Sequence, residues 1–223
     1  MAGEIVDHLP SLRKGAEDFR YLLGRGYPRK QSLELVGNRY GLRKSGRDLL
    51  HRGVFGPEEG ANRRRKLVRV EDVAGVELAV DGHNVLITVE AALSRKPLVA
   101  ADDGFVRDIS GVSSGYRMRD VTLRAVDLMM ETLREMRPRC VVFLFDAPIS
   151  RSGRLASYVE DCLKEAGVAG EARAVRVPER VLMGHRGIVA TSDSAIVDRV
   201  EKAVDLAGHV IRTRVSDPWL IIL

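Results

Sequence analysis

Four acidic motifs in the second half of the chain set carboxylates among turn-forming residues: Asp81-Gly82-His83-Asn84, Ala101-Asp102-Asp103-Gly104, Phe145-Asp146-Ala147-Pro148 and Thr191-Ser192-Asp193-Ser194. Each stands where a strand should end, and open α/β sheets bind ligands beyond the carboxyl ends of their strands. Carboxylates gathered there suit Mg²⁺ or Mn²⁺, hard cations that prefer oxygen ligands. Such an ion lowers the pKa of a bound water and stabilises charge developing on phosphorus. The expected chemistry is hydrolysis of a phosphate ester.

Asp81, Asp146 and Asp193 are the candidate catalytic residues and metal ligands, with Asp103 and Asp198 as further candidate ligands. Asp198 lies about 140° around an ideal helix from Asp193 and would reach an ion through water. Of Asp102, Asp103 and Asp108, one is expected to face the cleft while the others pair with Arg107. Asn84 would orient a ligand or water, and Ser192 and Ser194 would contact substrate. Arg107, Arg151 and Arg154 read as loop residues able to bind a substrate phosphate. Plainer readings stand beside these: Asp, Gly and Asn are common in turns, and Asp193 sits where a helix N-cap belongs. Asp146 carries more weight, because a carboxylate ending a buried strand must be paired, metal-bound or exposed in a cleft. His83 neighbours Asp81 and is a candidate substrate contact; His185 and His209 have no metal-ligand spacing.

The elements expected to position these groups begin near residue 75. Val76 to Val80, Leu98 to Ala101, Cys140 to Phe145 and Ile188 to Ala190 read as strands, and Val210 to Val215 as a half-exposed one. Helical spacing runs through Met118 to Met136, Leu155 to Ala166 and Ile196 to Ala207. The Gly/Ser stretch from Ile109 to Gly115 reads as a loop or lid. This rhythm predicts an α/β fold with a mostly parallel sheet flanked by helices. Before it, glycine-separated helices predict a small all-α domain over residues 1–56, a linker over 57–74, and the α/β domain over 75–223.

Charge divides along the same line. Residues 1–70 hold 16 Lys and Arg against 8 Asp and Glu, a net of +8; with +5 for the whole chain, −3 is left for the rest. A basic module beside an acidic one suggests an anionic partner for the first, RNA in preference to DNA. Arg29, Lys30, Arg39, Arg43, Lys44, Arg63, Arg64 and Arg65 are the candidate nucleic-acid contacts, though a solvated charge cluster is the plainer reading of Arg63 to Lys66. No apolar run spans a membrane and residues 1–10 show no signal-like core, so a cytoplasmic protein is expected. Cys140 and Cys162 fit buried free thiols, or a pair if close in space. Scarce Asn and Gln beside many Arg and Glu fit a thermophilic source.

Asp81-Gly82-His83-Asn84-Val85, Val142-Phe143-Leu144-Phe145-Asp146-Ala147 and Ala190-Thr191-Ser192-Asp193 occur in the order seen in PIN-like nucleases. Residues 75–217 most resemble the NYN branch, a metal-dependent ribonuclease group. The resemblance implies that Asp81, Asp146 and Asp193 ligate Mg²⁺ or Mn²⁺ and that Asn84 orients the first of them. PIN domains usually carry two acids close together after the later strand; here Ser194 follows Asp193 and the next acid is Asp198. That departure keeps open a catalytically inactive RNA- or ribosome-binding protein on the same scaffold. A haloacid-dehalogenase-type phosphatase ranks last, because His83 stands where it needs a second Asp. The stretch around Arg20-Tyr21-Leu22-Leu23, Tyr27-Pro28-Arg29 and Leu35-Val36-Gly37-Asn38-Arg39-Tyr40 resembles an uncharacterised archaeal helical domain, which implies no activity.

Overall fold

The computed structural model describes residues 9–109 and 116–223. The N-terminal eight residues and the Gly/Ser lid expected within 109–115 fall largely outside the described residues. Among the described residues four helices come first: α1 (Leu9–Gly24), α2 (Arg29–Arg39), α3 (Lys44–Gly53) and α4 (Pro57–Lys66), followed by a 3₁₀ turn, Val70–Val73. The expected linker is therefore mostly helix. Pro57 opens α4 where its missing N–H costs nothing, Glu58 and Glu59 sit at the positive end of the helix dipole, and Arg63 to Lys66 sit at the negative end.

The α/β region follows as β1 (Glu77–Asp81), α5 (Gly82–Leu93), β2 (Leu98–Ala100), β3 (Val106–Asp108), α6 (Asp120–Met136) and β4 (Cys140–Asp146). Then come α7 (Ser152–Glu165), β5 (Gly170–Val175), α8 (Pro178–Met183), β6 (Ile188–Ala190), α9 (Ser194–Val197), β7 (Ala203–Val204), α10 (Leu206–Arg214) and β8 (Leu220–Ile222). Five strands form one parallel sheet in the order β5-β4-β1-β6-β7. The strands are continuously apolar because helices cover both faces. Leu78, Val80, Phe143 and Phe145 enter one core with α5, α6 and α7, whereas Ala79, Leu144 and Val189 enter the other with Leu182 and Ile196. That alternation is the period-two geometry of a strand.

Three expectations give way here. Val210 to Val215 is not a strand: Leu206, Ala207, Val210 and Ile211 share a buried face of α10, and Asp205 caps it by accepting from the Gly208 N–H at 2.9 Å. The helix expected over Ile196 to Ala207 is interrupted, since α9 ends at Val197 and Ala203–Val204 joins the sheet. Leu98 to Ala100 lies in a separate sheet of order β3-β2-β8, with β2 and β3 antiparallel. This small sheet binds the two regions together: Val99 and Ile221 share a core with Leu12, Phe19, Leu49 and Leu50. Burying each such side chain contributes roughly 1.5–3 kcal/mol, so the helical region is held by a common core rather than by a tether. Both cysteines are free, and among the described residues no helix is long and apolar enough to cross a membrane.

Candidate active site

From the central strand β1 the chain passes to β4 and β5 on one side, then returns to β6 and β7 on the other. Connections that diverge in this way leave a crevice at the carboxyl ends of the strands. Asp81 ends β1 and Asp146 ends β4, while Asp193 lies just beyond β6. They line one cleft of about 200 Å³ with Asp108, Glu179, Asn84, His83 and Arg52. Asp81, Asp146 and Asp193 thus border the same cleft.

Thr191 links two of these acids. Its hydroxyl donates to Asp81 Oδ2 at 2.8 Å and accepts the Asp193 backbone N–H at 3.1 Å. Burial pushes the Asp81 carboxyl up to about 7, with the charges of Asp193 and Glu179 adding to the shift and hydrogen bonds from Thr191 and the Asn84 backbone opposing it. Asp193 is exposed and caps α9, its Oδ1 accepting the Ala195 N–H at 2.8 Å. The cap reading and the site reading therefore hold together. Asn84 lines the cleft and also braces it: its Oδ1 accepts from the Ser192 N–H at 2.9 Å and the Ser192 hydroxyl at 3.0 Å. It pins the β6 loop to α5 and so fixes where Asp193 stands.

Asp146 is steered by a buried histidine. The Asp146 N–H donates to His83 Nδ1 at 3.1 Å, and the Ser152 hydroxyl donates to the Asp146 carbonyl at 2.7 Å. Burial pushes His83 down to about 4, so the ring is neutral and accepts that bond; it meets Phe145 edge-on at 5.2 Å. A side chain on Gly82 would strike the Phe145 ring at 2.5 Å, so only glycine lets Asp81 and His83 flank it here. The Asp146 carboxyl is itself raised by burial and by the Glu179 charge.

The remaining candidates are placed elsewhere. Asp103 is fully buried, gripped by Arg107 through two bonds of 2.7 Å and approached by Arg63 at 3.4 Å. Asp198 accepts two bonds from Arg63, at 2.7 and 2.8 Å. Neither lines the cleft; the acid of the 102–108 segment that does so is Asp108. Arg107 is no phosphate ligand: it is 4% exposed and spends its donors on Asp103, the Ser192 carbonyl and Ser194 Oγ. Ser194 is thereby a structural partner. Arg151, the N-cap of α7, and Arg154, in its first turn, are exposed and absent from the cleft lining. Asp102 accepts two bonds from Arg20, each 2.8 Å.

The basic candidates also divide. Arg63 is buried, and Arg29 is half-buried over the rings of Phe19 and Phe55 while donating to the Val54 carbonyl at 2.8 Å. Both are structural. Lys30, Arg39, Arg43, Lys44, Arg64 and Arg65 are exposed, although Arg39 pairs with Asp18 at 3.5 Å, Arg64 donates to the Asp102 carbonyl and Arg65 to Asn62.

Glu179 and Arg52 are lining residues that the motifs did not flag. Glu179 follows Pro178 in the first turn of α8, where an acid is ordinary helix chemistry. The carboxylate oxygens are of the kind Mg²⁺ and Mn²⁺ prefer, so the donor chemistry fits. Among the described residues, no three His, Cys, Asp or Glu side chains stand grouped closely enough to hold an ion as they lie. The raised pKa of Asp81 also couples stability to pH. A carboxyl raised from 3.8 to about 7 on folding contributes stability that is complete below about pH 4 and lost as the pH rises through 7. Chelator-treated protein is expected to show a falling urea midpoint between pH 4.5 and 7.5, with a flatter profile in Asp81→Asn. Equal slopes in the two proteins would refute that assignment.

An open parallel α/β sheet with an acidic cleft at its carboxyl edge, roofed by a helical region, defines the class of this molecule. The chain belongs to the family described as Domain of unknown function (DUF5616), which matches residues 70–209. Residues 11–66 match Protein of unknown function (DUF434), and that match ends where α4 ends. An uncharacterized protein of Methanocaldococcus jannaschii, MJ0935, is 34% identical over 203 residues, covering 90% of this chain and 97% of that protein. No solved structure matches the chain. Neither family description names an activity.

Proposed function

We propose that this protein is a metal-dependent phosphodiesterase, an RNA endonuclease of the PIN-like kind. The observation that carries the reading is the convergence of Asp81, Asp146 and Asp193, from three neighbouring strands, on one cleft that also holds Asp108 and Glu179. Burial raises the Asp81 carboxyl to about 7, and the charges of Asp193 and Glu179 add to that shift. A divalent cation, when bound, would supply an activated water and offset charge on the phosphoryl oxygens. Asp81, Asp146 and Asp193 would hold it. Thr191 and Asn84 keep Asp81 and Asp193 in register, and His83 keeps the end of β4 in place. The exposed bases Lys30, Arg43, Lys44, Arg64 and Arg65 would hold RNA by its phosphates, and a cytoplasmic setting accords with that partner.

The inactive RNA- or ribosome-binding reading draws on one observation, the lack of a preassembled group of three ligands among the described residues. Incubating end-labelled RNA with the protein in Mn²⁺, Mg²⁺ or EDTA separates the two. Cleavage in either cation and none in EDTA is expected. RNA binding without cleavage in any condition would overturn the catalytic reading and favour the scaffold.

A further inference from the structure

Arg52 is the only Arg or Lys among the described residues that line the cleft, and it comes from the helical region rather than the α/β region. We propose that Arg52 is the phosphate-binding group of this site, so that the cleft is complete only when the helical region is docked on the sheet. The cleavage arm of this inference rests on the hydrolase reading; the binding arm does not.

Position is the first support. Arg52 lies in the last turn of α3, where a cation is favoured by the helix dipole, and the end of that helix is clamped from three directions. The Gly53 carbonyl accepts the Asp102 N–H at 2.8 Å, and the Arg52 carbonyl faces Arg107 Nη1 at 3.5 Å. A Cβ on Gly53 would meet Val99 at 2.4 Å, so α3 lies hard against β2. The base of the Arg52 side chain is therefore fixed relative to Asp108 and the cleft.

Availability is the second. The Arg52 side chain is 35% exposed, and its Nη1 faces Asp108 Oδ1 at 3.8 Å, within ion-pair range but beyond hydrogen-bonding distance. Its fork of donors is thus uncommitted at the cleft, in contrast to Arg63 and Arg107, whose donors are spent on carboxylates and carbonyls.

Charge is the third. The cleft gathers the carboxyl groups of Asp81, Asp108, Asp146, Asp193 and Glu179, a concentration of negative charge that repels a phosphate unless cationic groups offset it. A guanidinium on the rim matches phosphate geometry bidentately, which a lysine does not. The ligand class this implies is a phosphate monoester or diester, bound across the boundary between the two matched families.

The test uses the full chain with Arg52→Gln and Arg52→Lys, reading calorimetric binding of adenosine 5′-monophosphate in Mn²⁺ alongside cleavage of labelled RNA. Arg52→Gln is expected to weaken nucleotide binding by roughly 10- to 100-fold, the range for losing hydrogen bonds to a charged group, while Mn²⁺ affinity measured alone stays unchanged. Arg52→Lys should recover part of the loss, which also shows that the fold survives. Nucleotide affinity equal in wild type and Arg52→Gln, or no nucleotide binding by wild type, overturns the proposal. Arg52-dependent binding without cleavage would sink the nuclease reading and leave this one standing. Cleavage unaffected by Arg52→Gln would do the reverse.

Discussion

Asp81→Asn is expected to lower Mn²⁺-dependent RNA cleavage on the order of 10³-fold while making the metal-free protein more stable above pH 7. The activity loss follows from removing a charged ligand at the end of the central strand: a bound ion contributes several kcal/mol to the transition state, and each 1.36 kcal/mol is about tenfold in rate. The stability gain follows from the same carboxyl. Held near 7 by burial and by the charges of Asp193 and Glu179, it must ionise at a cost at alkaline pH, and an amide removes that cost. An Asn side chain still offers an oxygen to the Thr191 hydroxyl. Opposite signs for activity and stability are what a functional carboxylate produces. A merely structural Asp81 would lose stability on substitution and leave cleavage intact, so parallel urea melts and cleavage rates settle it. Asp193→Asn is the companion: it keeps an N-cap oxygen for Ala195 and should change stability little while abolishing cleavage.

Why the acids of β1, β4 and β6 could be found from sequence is clear from their setting. Each follows a short apolar run, as a strand covered by helices must be; Asp81 and Asp146 are the first polar residues after theirs, and Asp193 comes two residues past Thr191, the first after Ile188-Val189-Ala190. The same logic failed for α5. Val85, Leu86, Ile87, Thr88, Val89 and Glu90 are all buried, so no polar stripe betrays a helix, and Asp81-Gly82-His83-Asn84 read as a turn when it is the helix start. In α10 the run Val210-Ile211-Arg212-Thr213-Arg214 imitates a half-exposed strand, although Leu206 and Ala207 supply the helical face. Asp103 and Asp108 differ by what lies across from them, which local sequence does not encode. Arg107 reaches back to Asp103, whereas Asp108, at the end of β3, opens on the cleft. The run Arg63-Arg64-Arg65-Lys66 read as a solvated cluster or phosphate contact. Wound into α4, it turns Arg63 and Lys66 inward to Asp198 and leaves Arg64 and Arg65 outside.

Arg107→Met is expected to destabilise the protein by about 3–5 kcal/mol, the usual cost of stranding one charge of a buried pair. Asp103 has no exposure, and its two shortest bonds are those from Arg107 at 2.7 Å; Arg63 Nη1, at 3.4 Å, is already committed through its other nitrogens to Asp198 and Glu59. Losing the guanidinium also frees the Ser192 carbonyl and removes a cation from the face of Phe55, where Arg29, Arg63 and Arg107 all lie within 5.0 Å of the ring centre. The loss should appear as a lower urea midpoint with an unchanged slope. Arg107→Met combined with Asp103→Leu removes the stranded charge as well, and should recover more than half of the loss, since apolar replacement of a whole buried pair is often neutral. If the double variant is no better than the single one, Arg107 matters through Ser192 and Phe55 instead of through Asp103. The distinction bears on the site, because Ser192 is also the residue that Asn84 holds. A single buried arginine then ties the helical region, the small sheet and the loop carrying Asp193 into one unit, and cleavage should fall with stability in Arg107→Met yet return in the double variant only if the Asp103 pair is what keeps that loop in place.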